Sequence, residues 1–136
     1  MIRQRTTTLA PRDRLIREIQ HVLGLIRPEL PRGKRQPRYD GYCGSAAEAY
    51  LHLAGGRKAG LKVKHDGSHW WLEDSQDRVI DLTLGPDDYR SLSRNPRKLY
   101  PYDRGKGGMF RSGYERPSRR AKAIISLVEA RRAGNL

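Results

Sequence analysis

Three residues near the centre of this 136-residue chain are of types that can perform nucleophilic chemistry together: Cys43, His69 and Asp81. Cys43 is the single cysteine and lies where the loop "YDGY" gives way to an alanine-rich helical pattern that starts near Gly44. At a helix N-terminus the unpaired amides and the macrodipole favour a thiolate. The backbone N–H of a cysteine at that position would also be available as half of an oxyanion hole.

The stretch "HWWLEDSQDRVIDLT", residues 69–83, predicts a hairpin that could hold the base for such a thiol. If the turn is centred on Ser75, His69 faces Asp81 across the two strands. Directly opposed residues have Cβ atoms about 5 Å apart, so the carboxylate can accept a hydrogen bond from the imidazole. Such a contact selects one tautomer, orients the ring and stabilises its protonated form.

Alternation along this hairpin sorts its residues into two faces, and a slip of one residue would mix the two sets. The predicted core face is uniformly apolar and carries Trp70, Leu72, Ile80 and Leu82. The other face carries His69, Trp71, Val79 and Asp81. Two interpretations of Trp71 stay open: it lines a substrate groove, or it packs in the core beneath another element.

The stretches "YCGSAAEAY", "HWWLED" and "VIDLT", in this order, resemble the motifs of the transglutaminase-like branch of the papain-like cysteine enzymes. The resemblance covers roughly residues 39–84. It implies an α+β fold, a minimal papain-like or transglutaminase-like domain whose short antiparallel sheet packs against the helix that begins with the cysteine. It also implies the roles of nucleophile for Cys43, general base and acid for His69, and orienting carboxylate for Asp81.

The same resemblance implies thiol-dependent acyl chemistry on a protein or peptide substrate, without a cofactor. The reaction would be peptide, isopeptide or amide hydrolysis, or glutamine deamidation; an amine acceptor in place of water would give a transferase. The family's second oxyanion donor is a side chain just upstream of the cysteine, and Gln36 and Tyr39 are the candidates for it. Tyr42 and Trp71 are candidates for further substrate contacts.

Other interpretations of these residues compete with catalysis. A single cysteine is often simply a small buried hydrophobe, and it excludes an internal disulfide framework. A zinc site built from His52, His65 and His69 with an acid has no standard ligand spacing to support it, so no metal is predicted.

The net charge of +13 is unevenly distributed along the chain. Residues 1–38 carry ten basic and three acidic side chains (+7), residues 39–89 carry five and nine (−4), and residues 90–136 carry thirteen and three (+10). Basic flanks are typical of chains with acidic or phosphate-rich partners, although they also serve solvation. The candidates for such contacts are Arg104, Lys106, Arg119 and Arg120.

The basic flanks support an alternative function, a nucleic-acid-binding or host-protein-binding adaptor without catalysis. No RRM, zinc-finger or helix-turn-helix signature accompanies them. The longest apolar run, "LGLI", is too short to cross a membrane, and the N-terminus has no apolar signal-peptide region. We therefore expect a cytoplasmic protein, in the host cytoplasm if the resemblance of the chain to small phage proteins holds.

The organisation predicted along the chain is that of one domain in three parts. Residues 1–38 form a basic helix and connector, 39–93 the catalytic core, and 94–136 a basic glycine-rich loop followed by a helix. Within these parts the patterns predict strands at 61–65, 69–73 and 78–83, a short helix at 85–92 and a final helix capped by Ser118. Helices followed by antiparallel strands indicate an α+β fold.

Overall fold

A computed structural model of the chain describes residues 11–26, 40–84, 101–110, 113 and 115–135. Three helices lie in these ranges: α1 (Pro11–Ile26), α2 (Asp40–Leu53) and α3 (Arg119–Arg132). The strands are β1 (Lys62–His65), β2 (Trp70–Glu73), β3 (Val79–Ile80) and β4 (Lys106–Gly107), and short 3-10 turns span Gly56–Ala59 and Tyr102–Arg104. The predicted α+β class is confirmed.

The four strands form one antiparallel sheet in the order β3-β2-β1-β4. Three of them fall in the predicted strand regions. The fourth, β4, was predicted as loop, because a two-residue strand beside glycines shows no alternation in the sequence. It exists through tertiary pairing alone: Lys106 pairs with His65, and Gly107 with Lys64.

The three helices share one apolar core with one face of the sheet. The basic N-terminal helix predicted within residues 1–38 is α1, whose apolar residues recur at helical spacing and are buried together: Leu15, Ile16, Ile19, Val22 and Leu23. The predicted cap of α3 is also confirmed, since the Ser118 hydroxyl accepts a hydrogen bond from the Ala121 N–H at 3.3 Å. The Ser118 N–H in turn donates to the buried Glu48 carboxylate at 2.7 Å, which ties the start of α3 to α2.

Several predictions from the sequence concern residues outside the described ranges. The connector 27–38 and the short helix at 85–92 lie outside the described residues, as do the two oxyanion candidates Gln36 and Tyr39. None of the helices in the described part of the chain combines the length and the apolar character needed to cross a bilayer.

Candidate active site

The hairpin of β2 and β3 has the predicted faces but a different register. Leu72 pairs with Ile80 and Glu73 with Val79, which is two residues from the predicted pairing. A shift of two residues leaves every side chain on the same face of the sheet. Leu72, Ile80 and Leu82 accordingly lie in the core with the helices. Trp71 and Val79 lie in a second cluster on the other face, together with Leu84 and Tyr102.

The local chemistry of the turn explains the register. The Asp74 carboxylate accepts hydrogen bonds from the backbone N–H groups of Gln76 and Arg78, both at 2.9 Å. The Asp74 N–H donates to the Arg78 carbonyl at 3.0 Å, and Asp77 adopts a left-handed conformation with φ 60°. The result is a three-residue loop of the kind that ends in a left-handed residue. Its centre is Gln76 instead of the predicted Ser75.

His69 and Asp81 are hydrogen-bonded in spite of this shift, with Nε2 and Oδ2 2.8 Å apart. His69 lies just before β2 and Asp81 just after β3. The direct cross-strand opposition that was predicted is therefore wrong, and the two residues are diagonal neighbours. Diagonal neighbours are about 7–8 Å apart, with their Cβ atoms somewhat closer, a separation that longer side chains can bridge. Both residues are buried, with 4% of His69 and 0% of Asp81 exposed.

The Asp81 carboxylate accepts hydrogen bonds on both oxygens. The Thr83 N–H and hydroxyl donate to Oδ1 at 3.0 and 2.7 Å, and the Tyr102 hydroxyl donates to Oδ2 at 2.6 Å, beside His69. Burial raises the pKa of Asp81, but the hydrogen bond and the charge of His69, together with the hydrogen bonds from Tyr102 and Thr83, outweigh it and hold the pKa below the ordinary value of 3.8. The side chain is therefore an ionised acceptor, and Nε2 of His69 carries the hydrogen between them.

Polar side chains of α1 hold the segment that carries Asp81. The Gln20 amide donates to the carbonyls of Leu82, at 3.1 Å, and Leu84. Arg12 donates to the Val79 carbonyl at 3.0 Å. These contacts fix the backbone on both sides of Asp81 from a helix more than sixty residues away in sequence. A single sequence gives no signal for such pairings.

The turn before β2 positions the backbone of His69. The Asp66 carboxylate accepts hydrogen bonds from the Ser68 N–H at 3.0 Å and the His69 N–H at 2.8 Å. Burial raises the pKa of Asp66, but these hydrogen bonds outweigh it, so the net pKa is lowered. Gly67, with φ 98°, supplies the left-handed conformation that this turn requires.

Trp71 lies in the core beneath another element, so the second of its two interpretations holds. Its ring contacts His69, with ring centroids 5.8 Å apart, and Tyr102, which meets it edge-on at 5.1 Å and 82°. A Cβ atom on Gly105 would lie 2.7 Å from Trp71 Cζ2. The segment that contains Tyr102 and Gly105 thus covers Trp71, and the indole does not line an open groove.

Cys43 is the fourth residue of α2, which begins four residues before the predicted start near Gly44. Its side chain is buried, with 2% exposed, and it belongs to neither apolar cluster. A Cβ atom on the next residue, Gly44, would lie 3.4 Å from Cδ1 of Trp70. Gly44 therefore packs against Trp70, the residue that follows His69.

The other site residues that the sequence predicted, as far as the structure describes them, lie on α2, on α3 and on the segment that covers Trp71. Tyr42 is half-buried, with the Arg120 guanidinium 5.3 Å above its ring centroid. Arg119 is exposed at the start of α3, and Arg104 and Lys106 are exposed on the segment that covers Trp71. Within the described ranges, no three His, Cys, Asp or Glu side chains come together in a way that could hold a metal ion.

Sequence reasoning missed Thr83 and Tyr102 as partners of Asp81. Thr83 had a signal, because an aspartate followed two residues later by threonine favours a local side-chain turn. Tyr102 had none, because its contact spans 21 residues and depends on the tertiary fold.

Comparison of the chain with protein-family models, with curated proteins and with solved structures found no match. The chemistry of the site therefore follows from its own atoms. Because Nε2 of His69 is engaged by Asp81, any proton that the ring exchanged with another group would pass through Nδ1. A buried imidazole with one fixed tautomer and a carboxylate partner is suited to general acid–base work.

Proposed function

We propose that this protein is a cysteine-dependent acyl-transfer enzyme, a peptide, isopeptide or amide hydrolase or a glutamine deamidase, with Cys43, His69 and Asp81 as its catalytic residues. The observation that carries the proposal is the buried His69–Asp81 pair, whose Nε2 and Oδ2 atoms are 2.8 Å apart. The resemblance of the cysteine, histidine and aspartate motifs to papain-like enzymes supports it.

The desolvation penalty of burying the His69–Asp81 pair favours a functional role over a purely structural one. Removing two ionisable groups from water carries a desolvation penalty that well-packed apolar residues avoid. A small domain could fill the space beside Trp71 with aliphatic side chains more cheaply. Instead, Asp81 receives four hydrogen bonds. Buried titratable pairs of this kind concentrate at functional sites.

In the proposed reaction, the Cys43 thiolate attacks the amide carbonyl carbon, and the π electrons move to the oxygen. As the tetrahedral intermediate collapses, the C–N bond breaks and Nδ1 of His69 gives its proton to the departing amine. Water then attacks the thioester while His69 accepts its proton, and the thiolate leaves. Asp81 holds the imidazole in orientation throughout and stabilises its charged form.

Thiol alkylation tests this proposal without knowledge of the substrate. We expect iodoacetamide to modify Cys43 of the wild-type protein at about pH 6.5 at least roughly tenfold faster than Cys43 of His69→Ala, because the imidazole holds the thiolate. His65→Ala is the matched control: His65 stacks on Trp70 at 4.8 Å and has no part in the proposed chemistry. Equal rates in all three proteins, or a Cys43 that reacts only on unfolding, would refute the proposal.

The substrate can then be sought with a trapping variant. Cys43→Ala retains the binding surface but forms no thioester, so it should retain substrates that the wild-type protein releases. Mass spectrometry of the bound proteins would identify them, and the mass change of each after wild-type treatment would separate hydrolysis from deamidation. A cytoplasmic location belongs to the same proposal, because a reducing compartment keeps a lone thiol reduced.

A basic binding module is the second candidate, favoured by the exposed cations Arg104, Lys106, Arg119 and Arg120 and the net charge of +13. Phosphate contacts make binding fall steeply with salt. Two results together would favour the adaptor over the enzyme. A short RNA or DNA oligonucleotide would bind with this steep dependence on salt, unchanged in Cys43→Ser, and the thiol of the protein would have no enhanced reactivity.

A further inference from the structure

Residues 101–108, the covering segment, close one side of the candidate site. The Tyr102–Arg104 turn is held by hydrogen bonds from the Arg104 N–H to the Pro101 carbonyl at 3.0 Å and from the Gly105 N–H to the Tyr102 carbonyl at 3.1 Å. Strand β4 then pairs with β1, and the Gly108 N–H donates to the Val63 carbonyl at 3.1 Å. The covering segment is therefore anchored to the sheet just beyond Tyr102.

Tyr102 is the residue through which this segment reaches the site. Its hydroxyl donates to Oδ2 of Asp81 at 2.6 Å, and Oδ2 is also the oxygen bonded to Nε2 of His69. Its ring meets Trp71 edge-on, and Trp71 flanks His69. Tyr102 thus touches the carboxylate and the indole that together surround one side of the imidazole.

We propose that Tyr102 is a positioning residue, which fixes the direction of the Asp81 carboxylate and moderates its charge, and thereby sets the pH at which His69 gains and loses its proton. The catalytic meaning of this inference rests on the proposed function. The effect on His69 itself does not, because it follows from the shared oxygen whether or not Cys43 reacts.

The direction of the effect follows from electrostatics. A hydroxyl that donates to a carboxylate oxygen draws charge away from the hydrogen bond that the imidazole makes to the same oxygen. Without the hydroxyl, Asp81 stabilises the imidazolium more strongly, so His69 keeps its proton to a higher pH. Among the described residues, Asp66 is a second acid beside His69 and accepts a hydrogen bond from its backbone N–H. It is present in every variant below, so a difference between variants reports on Tyr102.

The test is an NMR titration of the His69 ring in the wild-type protein, Tyr102→Phe and Tyr50→Phe. Tyr102→Phe keeps the ring against Trp71 and removes only the hydroxyl; we expect the His69 midpoint to rise by about one pH unit, the scale of one charge-assisted hydrogen bond. Tyr50 is the matched control, a buried tyrosine in the core with the helices, where burial raises its pKa to about 12. Its variant should titrate like the wild-type protein.

Coinciding titrations of the wild-type protein and a folded Tyr102→Phe would overturn the inference. If Tyr102→Phe does not fold, 3-fluorotyrosine at position 102 tests the same contact in the opposite direction: its more acidic hydroxyl donates more strongly and should lower the midpoint, and an unchanged or raised midpoint overturns the inference. Failure of the proposed function is distinguishable. It appears as a Cys43 alkylation rate that His69→Ala does not change, while the Tyr102-dependent titration shift persists.

Discussion

Replacing Asp81 with asparagine tests the centre of the site with a change of only a few atoms. The carboxylate accepts hydrogen bonds from His69, Tyr102 and both donors of Thr83. Asparagine offers one acceptor oxygen and one NH2 donor. Whichever way the amide points, one side of this network meets a donor where it had an acceptor.

Each orientation of the amide has its own cost. With the oxygen towards His69 and Tyr102, the NH2 group faces the buried Thr83 N–H, and an unpaired buried donor costs about 1–3 kcal/mol. With the NH2 group towards His69, Nε2 can only accept, so the ring must take the other tautomer. We expect Asp81→Asn to lose about 2–4 kcal/mol of unfolding free energy and, because domains have about 5–15 kcal/mol, to remain folded.

The catalytic loss should exceed what this stability change explains. Under the proposed function, a wrong tautomer or a turned ring would not exchange protons with Cys43, so activity should fall on the order of a hundredfold or more, though less than in Cys43→Ala. The same loss should appear in the rate of Cys43 alkylation at about pH 6.5, where only an imidazole-held thiolate reacts. A folded Asp81→Asn protein with the alkylation profile of the wild type would refute the assigned role of Asp81.

Urea unfolding as a function of pH distinguishes the loss of the Asp81 charge in Asp81→Asn from a general loss of packing. The folded pKa of Asp81 lies below its ordinary value of 3.8. Its charge therefore contributes stability that is present above that value and is lost as the pH falls through the folded pKa. The part of the difference in unfolding free energy between wild type and Asp81→Asn that comes from the Asp81 charge should shrink as the pH falls below about 4. A difference that persists undiminished in acid would contradict the electrostatic account.

Three further substitutions, the last with a matched control variant, test other parts of the structure. Cys43→Ala should abolish activity and alkylation but cost about 1 kcal/mol or less in urea unfolding, because only the sulfur is removed; an unfolded variant would mean that the thiol is a core residue. Ile80→Asp should remove the cooperative thermal transition seen by circular dichroism, because it buries an unpaired charge in the core, and a native melt would contradict that burial. Gly105→Ala should lower stability by about 1–3 kcal/mol, since its Cβ would lie 2.7 Å from Trp71 Cζ2. Gly107→Ala, with nothing within 4 Å of its Cβ, should melt as the wild type does, so equal melting of both variants would contradict the close packing at Gly105.

The parts of the fold that follow from local pattern were predictable from the sequence. The apolar spacing of α1 reflects burial of one helix face, and Ser118 has the side chain that caps a helix. The start of α2 was predicted too late, because Asp40 and Gly41 resemble loop residues. Local propensity did not indicate that α2 begins about one turn before Gly44.

The parts that depend on distant contacts were not predictable. Strand β4 has two residues and no alternation of its own, and it forms because the edge of β1 offers unpaired backbone groups. Tyr102 reaches Asp81 only because β4 anchors the covering segment to that edge. The support that Gln20 gives from α1 is likewise a product of tertiary packing.

His69 and Asp81 lie on the predicted face of the hairpin although the predicted register was wrong, and the reason is the period of the β-strand. Side chains alternate with period two, so an error of two residues leaves each on its predicted face, whereas an error of one would have placed Asp81 among the helices. The hydrophobic pattern specifies parity strongly, since Ile80 and Leu82 must be buried on one side. The turn specifies the register, and the Asp74 side chain determines its centre. His69 and Asp81 thus became diagonal instead of opposite neighbours, and they meet through side-chain reach and through the polar groups of Thr83 and Tyr102 that orient the carboxylate.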